Sequence, residues 1–196
     1  MLIFNPRNMT SNNVGKGIAE FVGTFFLTLT IFIAAVNGSA GAFAPLAIGL
    51  TLMVMIYALG HVSGAHFNPA VSIGLFLKGD CSQDELPTYL GAQILAGVLA
   101  FFVGSELVLN GADAAEITAA TFDSTIAVLS AEALWTFALM FVIINVATEQ
   151  AGNQFYGAAI GLTVMAGAFT VGSISLGSFN PAVTTMLTVS GKLAVA

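Results

Sequence analysis

The 196-residue sequence predicts an all-α membrane protein, an inverted repeat of spanning helices with two short re-entrant half-helices. Three observations support this fold class. Hydrophobic residues make up 57% of the chain and charged residues only 7%, with a mean hydropathy of +0.95; soluble domains carry roughly a quarter charged residues. Apolar segments of spanning length, about 20 residues, recur along the chain. Whole stretches of sequence also repeat at one fixed spacing. With so little charge the chain could not cover a water-facing surface, so its net charge of −6 is not a docking surface for basic partners. The four basic residues, Arg7, Lys16, Lys78 and Lys192, provide no electrostatic footprint for nucleic acid. The single cysteine, Cys81, excludes an intramolecular disulfide and a cysteine-based metal cluster.

Taken in order, residues 1–13 are mostly polar, and the apolar run Ile18–Val36 is too long for the core of a cleaved signal. It is expected to be a retained first span. Spans are expected at about 17–37, 42–60, 86–109, 125–147 and 155–172. Between them, 61–77 and 173–190 each have a Gly/Ser-rich approach, then Asn-Pro-Ala, then an apolar tail too short to cross a bilayer.

The repeat is explicit. Asn68-Pro69-Ala70-Val71 returns as Asn180-Pro181-Ala182-Val183, so position 68 maps to 180, 112 residues on. Ala47-Ile48-Gly49-Leu50-Thr51 returns as Ala159-Ile160-Gly161-Leu162-Thr163, and Ala19-Glu20 with Thr24 and Leu27 as Ala131-Glu132 with Thr136 and Leu139, both at the same 112. Each unit holds three spans. That is an odd number, so the second unit enters the membrane from the opposite face, which places the working site at the midplane between the units. The expected organisation is one membrane domain over 1–196, with repeat one at about 16–109 and repeat two at about 125–196. The third span of unit one begins near Asp84–Leu86, so its partner would begin near 196, where the sequence stops. A sixth span is therefore expected and missing, as in a shortened gene product or partial sequence. The alternative, a true five-span protein, leaves one wall open to lipid.

Basic residues collect on the cytoplasmic side of membrane proteins. Arg7, Lys16 and Lys78 fall on one face, while loop 105–124 carries Glu106, Asp113, Glu116 and Asp123 with no basic residue. Lys192 disagrees. The balance puts the N-terminus in the cytoplasm and the protein in the cell membrane.

Irregular backbone at membrane depth is tolerated only where protein buries it or where it lines a water-filled cavity. The stretches Gly60–Phe67 and Gly172–Phe179 are expected to approach the midplane extended. Proline suits a first helical turn, where its missing N–H costs nothing. Pro69 and Pro181 thus start half-helices from opposite faces, leading into Ala70 and Ala182. Asn68 and Asn180 cap them, leaving side-chain amide N–H groups free for the lumen. Each helix N-terminus carries about half a positive charge, so two facing ones oppose cations. A neutral guest can instead bind the asparagine amides and the carbonyls of Gly64, Ala65, His66, Leu176, Gly177 and Ser178. That is conduction without a reaction. A single Asn-Pro-Ala is an ordinary helix start; the case rests on two in register, each preceded by Phe and followed by Val.

The segments His66-Phe67-Asn68-Pro69-Ala70-Val71 and Ser178-Phe179-Asn180-Pro181-Ala182 resemble the paired signature of the aquaporin (major intrinsic protein) family. Gly60-His61 with Ser63-Gly64 and the Ala19-Glu20…Thr24 span fit too, so the resemblance covers about 16–190. It implies a right-handed bundle of six spans and two half-helices, a pore in each subunit, and usually a homotetramer in the lipid bilayer. Counting from the motifs places the family's second constriction at Ile48, Ala168, Gly177 and Val183. Water-selective relatives usually present an aromatic, a His, a small residue and an Arg there, and glycerol-passing relatives keep the Arg with aromatics and a Gly. This chain has neither the Arg nor an aromatic at these positions. Without a guanidinium the constriction loses five donors and a fixed charge. The resemblance thus implies an aquaglyceroporin-like or metalloid-passing variant, open to glycerol, urea, ammonia or neutral metalloid hydroxides. Relatives with Val at this position include some associated with arsenite passage.

Glu20 and Glu132 stand inside apolar spans, where carboxylates are expensive and usually functional. They could form a proton relay. Their repeat-related positions instead suggest that each accepts backbone N–H bonds from a re-entrant loop, a bracing role the resemblance supports, with Gln93 as a further brace. His61 and His66 are the only histidines, too few for a metal site without other ligands, and no metal or cofactor is expected. His66 is assigned to the pore wall through its carbonyl. Other classes stay open: an ion- or proton-coupled secondary transporter with inverted repeats, or a non-conducting truncated remnant. An enzyme is disfavoured, because no nucleophile–base pair stands out.

Overall fold

The computed structural model describes residues 13–111, 117–150 and 152–194. Arg7, Asp113 and Glu116, which entered the orientation argument, lie outside the described residues. Seven α-helices follow one another: α1 (Asn13–Ile31), α2 (Ala44–Ser63), α3 (Pro69–Lys78), α4 (Leu86–Phe102), α5 (Thr125–Ile143), α6 (Tyr156–Ser175) and α7 (Pro181–Val189). Wider π turns extend α1, α4 and α5, so the elements long and apolar enough to cross a membrane run Asn13–Val36, Gly41–Ser63, Leu86–Val108, Thr125–Glu149 and Tyr156–Ser175. The half-helices α3 and α7, of 10 and 9 residues, reach about 15 Å at 1.5 Å per residue, half of a hydrocarbon core of about 30 Å. No strand occurs among the described residues.

The repeat reappears in the helix boundaries. α1 starts at 13 and α5 at 125, α2 spans 44–63 and α6 spans 156–175, and the half-helices start at 69 and 181, each pair 112 apart. The expected extended approaches are shorter than the sequence suggested. Gly60–Ser63 and Gly172–Ser175 continue α2 and α6 by a full turn, and only 64–68 and 176–180 leave the helix. A glycine inside a helix costs only about 1 kcal/mol relative to alanine, so Gly60 and Gly172 do not end their helices. The break comes at Gly64 (φ 87°) and Leu176 (φ 70°), whose left-handed backbone turns the chain back toward the centre.

Packing places the two units around a shared seam. α1 runs along α4 and α2, α5 runs along α6, and α2 crosses α6. At that crossing a Cβ on Gly49 would stand 2.7 Å from the Gly161 carbonyl oxygen, and one on Gly161 would stand 2.5 Å from that of Gly49. Only glycine fits at both positions, which lets the backbones touch where no hydrophobic force drives helices together in lipid. α7 lies on α4 in the same way, since a Cβ on Gly97 would meet the Ala182 oxygen at 2.5 Å. Outward faces are apolar, with Ile126, Phe137 and Leu107 largely exposed, as a lipid-facing surface requires.

Candidate functional site

The two Asn-Pro-Ala turns meet. Asn68 (φ −157°) and Asn180 (φ −154°) are extended N-caps whose Oδ1 atoms accept from Ala70 N at 2.8 Å and Ala182 N at 2.9 Å. Pro69 and Pro181 take the first turn. Each asparagine also reaches across: Asn68 Nδ2 donates to the Phe179 carbonyl at 2.8 Å, and Asn180 Nδ2 to the Phe67 carbonyl at 2.9 Å. The expectation of fully free amides is thereby corrected. A side-chain amide has two N–H groups, and one from each asparagine is held by the facing turn. These crossed bonds bring the positive ends of α3 and α7 together.

Both asparagines line a cavity of about 410 Å³. Its α3-side end is bounded by Leu75, Asp80, Thr148 and Tyr156, and its α7-side end by Ile31, Ala35, Ala168 and Val183. Gly64, Ala65, His66, Leu176, Gly177 and Ser178 all line it, as do Ile48, Ala168, Gly177 and Val183. A Cβ on Gly177 would lie 3.4 Å from Ala168 Cα, so these two wall residues are neighbours. Most of the remaining wall is aliphatic. Pro69, Ala70, Pro181 and Ala182 stand just behind it, outside the lining.

Glu20 and Glu132 also lie behind the lining. Glu20, fully buried, accepts from Ser63 Oγ (2.6 Å), His66 N (2.9 Å), Phe67 N (2.7 Å) and Gln93 Nε2 (2.8 Å). Glu132 accepts from Ser175 Oγ (2.6 Å), Ser178 N (3.0 Å) and Phe179 N (2.7 Å). Each carboxylate thus satisfies two consecutive backbone N–H groups of a turn that has no helix to satisfy them. Neither carboxylate lines the cavity. Gln93 additionally donates to Ser72 Oγ at 2.9 Å.

Sequence reasoning missed several participants. Ser63 and Ser175 each accept from the backbone N–H two residues on, at 3.1 and 3.2 Å, while donating to the carboxylate. They stand at the same 112-residue spacing as the matches used above, a signal that could have found them. Tyr89 on α4 donates to the Ser63 carbonyl at 2.6 Å and packs edge-on against the His66 ring, centroids 4.9 Å apart. His66 Nδ1 pairs with Ser72 Oγ at 3.0 Å. His61 sits exposed on the last turn of α2, and among the described residues no group of three or more His, Cys, Asp or Glu side chains could hold a metal.

Outside the spans, partial burial alone would raise the Glu85 carboxyl, yet hydrogen bonds from Lys16 and Ser82 hold it down at about 2. Burial pushes the Cys81 thiol up to about 11.

The sequence model of the family described as Major intrinsic protein matches residues 7–186. Among curated proteins, the chain is 37% identical over 174 residues to a putative aquaporin, NIP4-1, of Arabidopsis thaliana, covering 85% of this chain and 61% of that protein. It is 39% identical over 174 residues to aquaporin NIP1-3 of Oryza sativa subsp. japonica, covering 85% and 60% respectively. It is 36% identical over 201 residues to aquaporin NIP1-1 of Arabidopsis thaliana, covering 91% and 68%. The chain thus spans about three fifths of the length of the first two relatives. Among solved structures, the aquaglyceroporin from Plasmodium falciparum superposes with a TM-score of 0.76 at 24% identity, covering 91% of this chain and 81% of that one, which shows a shared fold.

Proposed function

The chain is an integral membrane protein of the major intrinsic protein family, and on that premise we propose that it is a passive transmembrane channel for water and small uncharged solutes. One observation carries the reading: Asn68 and Asn180, each capping a half-helix and bonded to the opposite turn, both line one cavity. A neutral guest arriving there trades part of its hydration for the remaining asparagine N–H groups and for carbonyls of 64–66 and 176–178. At the meeting point of the turns a cation faces two helix N-termini and no carboxylate, because Glu20 and Glu132 are engaged behind the turns, and Asp80 at the α3-side end is paired with Lys78. The passage involves no bond making, so no catalytic residue is assigned. The whole functional unit is one channel domain made of the two repeats.

The α7-side wall supports a preference for solutes larger than water. Ile48, Ala168, Gly177 and Val183 bring no charge and no side-chain donor to it. Glycerol, urea, ammonia and neutral metalloid hydroxides fit a wall that is aliphatic on one side and lined by loop residues on the other. Lys16 and Lys78 support a cytoplasmic N-terminus: both pair at the α3-side end, with Glu85 and with Asp80 and Glu149. A homotetramer in the cell membrane, one pore per subunit, completes the proposal.

Proteoliposome swelling in osmotic gradients of water, glycerol and urea tests it. Rapid, non-saturating flux of all three is expected. A pore that passes water and excludes glycerol and urea would overturn the solute preference. Flux that saturates and follows a proton or sodium gradient would replace the channel with a coupled transporter.

A further inference from the structure

Each re-entrant turn opens on two successive left-handed residues: Gly64 (φ 87°) and Ala65 (φ 54°) in the first, Leu176 (φ 70°) and Gly177 (φ 61°) in the second. A Cβ is penalised in this conformation, and glycine is its default occupant. The leading position has one backbone task, closing the preceding helix. Gly64 does it by donating N–H to the Gly60 carbonyl at 3.0 Å, and Leu176 does the same to Gly172 at 3.0 Å. That task requires no side chain. The first turn uses glycine there, whereas the second carries a four-carbon branch in a conformation that disfavours it.

Phe67 (φ 50°) and Phe179 (φ 48°) are left-handed as well, but their rings are seated inside the bundle. Phe67 is fully buried against Gly23, and Phe179 lies against Gly167 and Trp135. Leu176 is different. It is half-buried, lines the cavity, and packs against the apolar cluster of Phe32, Val183, Met186 and Leu187. Backbone strain retained at a cavity wall points to a use for the side chain that imposes it.

We propose that Leu176 is a specificity-determining residue, a fifth wall member that sets the upper size limit of the α7-side constriction. Beside Val183 its isobutyl group narrows an opening that Ala168 and Gly177 leave wide. The proposal rests on the channel reading above.

The experiment compares the full chain with Leu176→Gly, Leu176→Ala and Leu176→Met in proteoliposomes, reading swelling in water, glycerol and erythritol together with Tm in detergent. Leu176→Gly is expected to keep Tm close to wild type, because relief of the left-handed strain offsets the packing lost against the Phe32 and Val183 cluster, and to raise the erythritol-to-water flux ratio several-fold. Leu176→Ala should raise it less, and Leu176→Met, which keeps the bulk, should leave it unchanged. An unchanged ratio in both small variants overturns the proposal, and so does a fall in Tm with the ratio intact, since the side chain would then serve packing alone. If Leu176→Gly fails to fold, Leu176→Ala decides by the same ratio. Wild-type vesicles that swell no faster than protein-free ones in every solute would instead remove the channel reading itself.

Discussion

Glu20 and Glu132 occupy equivalent places in the two units, yet their surroundings differ. Both accept a serine hydroxyl and two consecutive backbone N–H groups at nearly the same distances. Glu20 is fully buried and takes a fourth bond from Gln93 of α4, which also donates to Ser72 of α3. Glu132 is half-buried and, among the described residues, receives no side-chain amide. The turn phenylalanines are seated by opposite neighbours. Phe67 rests on Gly23 of α1, the position that in the second unit is Trp135, and there the notch is supplied by Gly167 of α6 instead. The duplication has kept the hydrogen bonds and let the packing drift. Backbone N–H groups at membrane depth must find acceptors, whereas an apolar volume can be filled from either side with little loss.

The largest expected effect breaks that comparison directly. Glu20→Ala strands the His66 and Phe67 amides, Ser63 and Gln93; at about 1–3 kcal/mol for each buried unsatisfied group, a loss of roughly 4 kcal/mol or more is expected. Glu132→Ala, with fewer donors and more exposure, should cost about half as much by the same reckoning. Denaturation in mixed detergent micelles measures both, and equal losses would show that Gln93 and burial contribute nothing.

Gln93→Leu sharpens the comparison by making the first brace resemble the second. Its Nε2 donors are both used, but its Oε1 has no protein partner among the described residues. The cost of that buried acceptor offsets part of the gain, so the net loss should be about 1 kcal/mol. In a double-mutant cycle with Glu20→Ala, the Gln93 effect should vanish or change sign.

The smallest effect lies at the membrane edge, where Lys16 of α1 pairs with Glu85 ahead of α4. A partly exposed pair of this kind contributes about 0–1 kcal/mol, so Glu85→Gln should shift Tm only slightly. Because the folded carboxyl is held at about 2, below its ordinary 4.5, the contribution is present above 4.5. It is lost as pH falls through 4.5 toward 2. Tm measured from pH 7 to pH 3 should therefore keep its full difference between wild type and variant above 4.5 and draw closer only toward the acid end.

Much of this architecture is legible from residue pattern alone. The five apolar spans and the two proline-started half-helices are local features, carried by segments of 25 residues or fewer, and the helix boundaries repeat at the 112-residue spacing. The turn residues 64–66 and 176–178 could be named by counting from the two motifs, because a short turn leaves little choice, whereas the helix residues that make up most of the wall, such as Leu27, Leu139 and Ile160, could not. Where the helices stop was less legible. Gly60 and Gly172 read as breakers, while the actual breaks sit at Gly64 and Leu176, since φ is not written in residue type. What only the tertiary structure decided is the contact across the seam: the asparagine amides cross to Phe179 and Phe67, residues 111 and 113 positions away. Such a bond exists only after α2 and α6 have closed on their facing glycines, and no short-range preference of either segment specifies it.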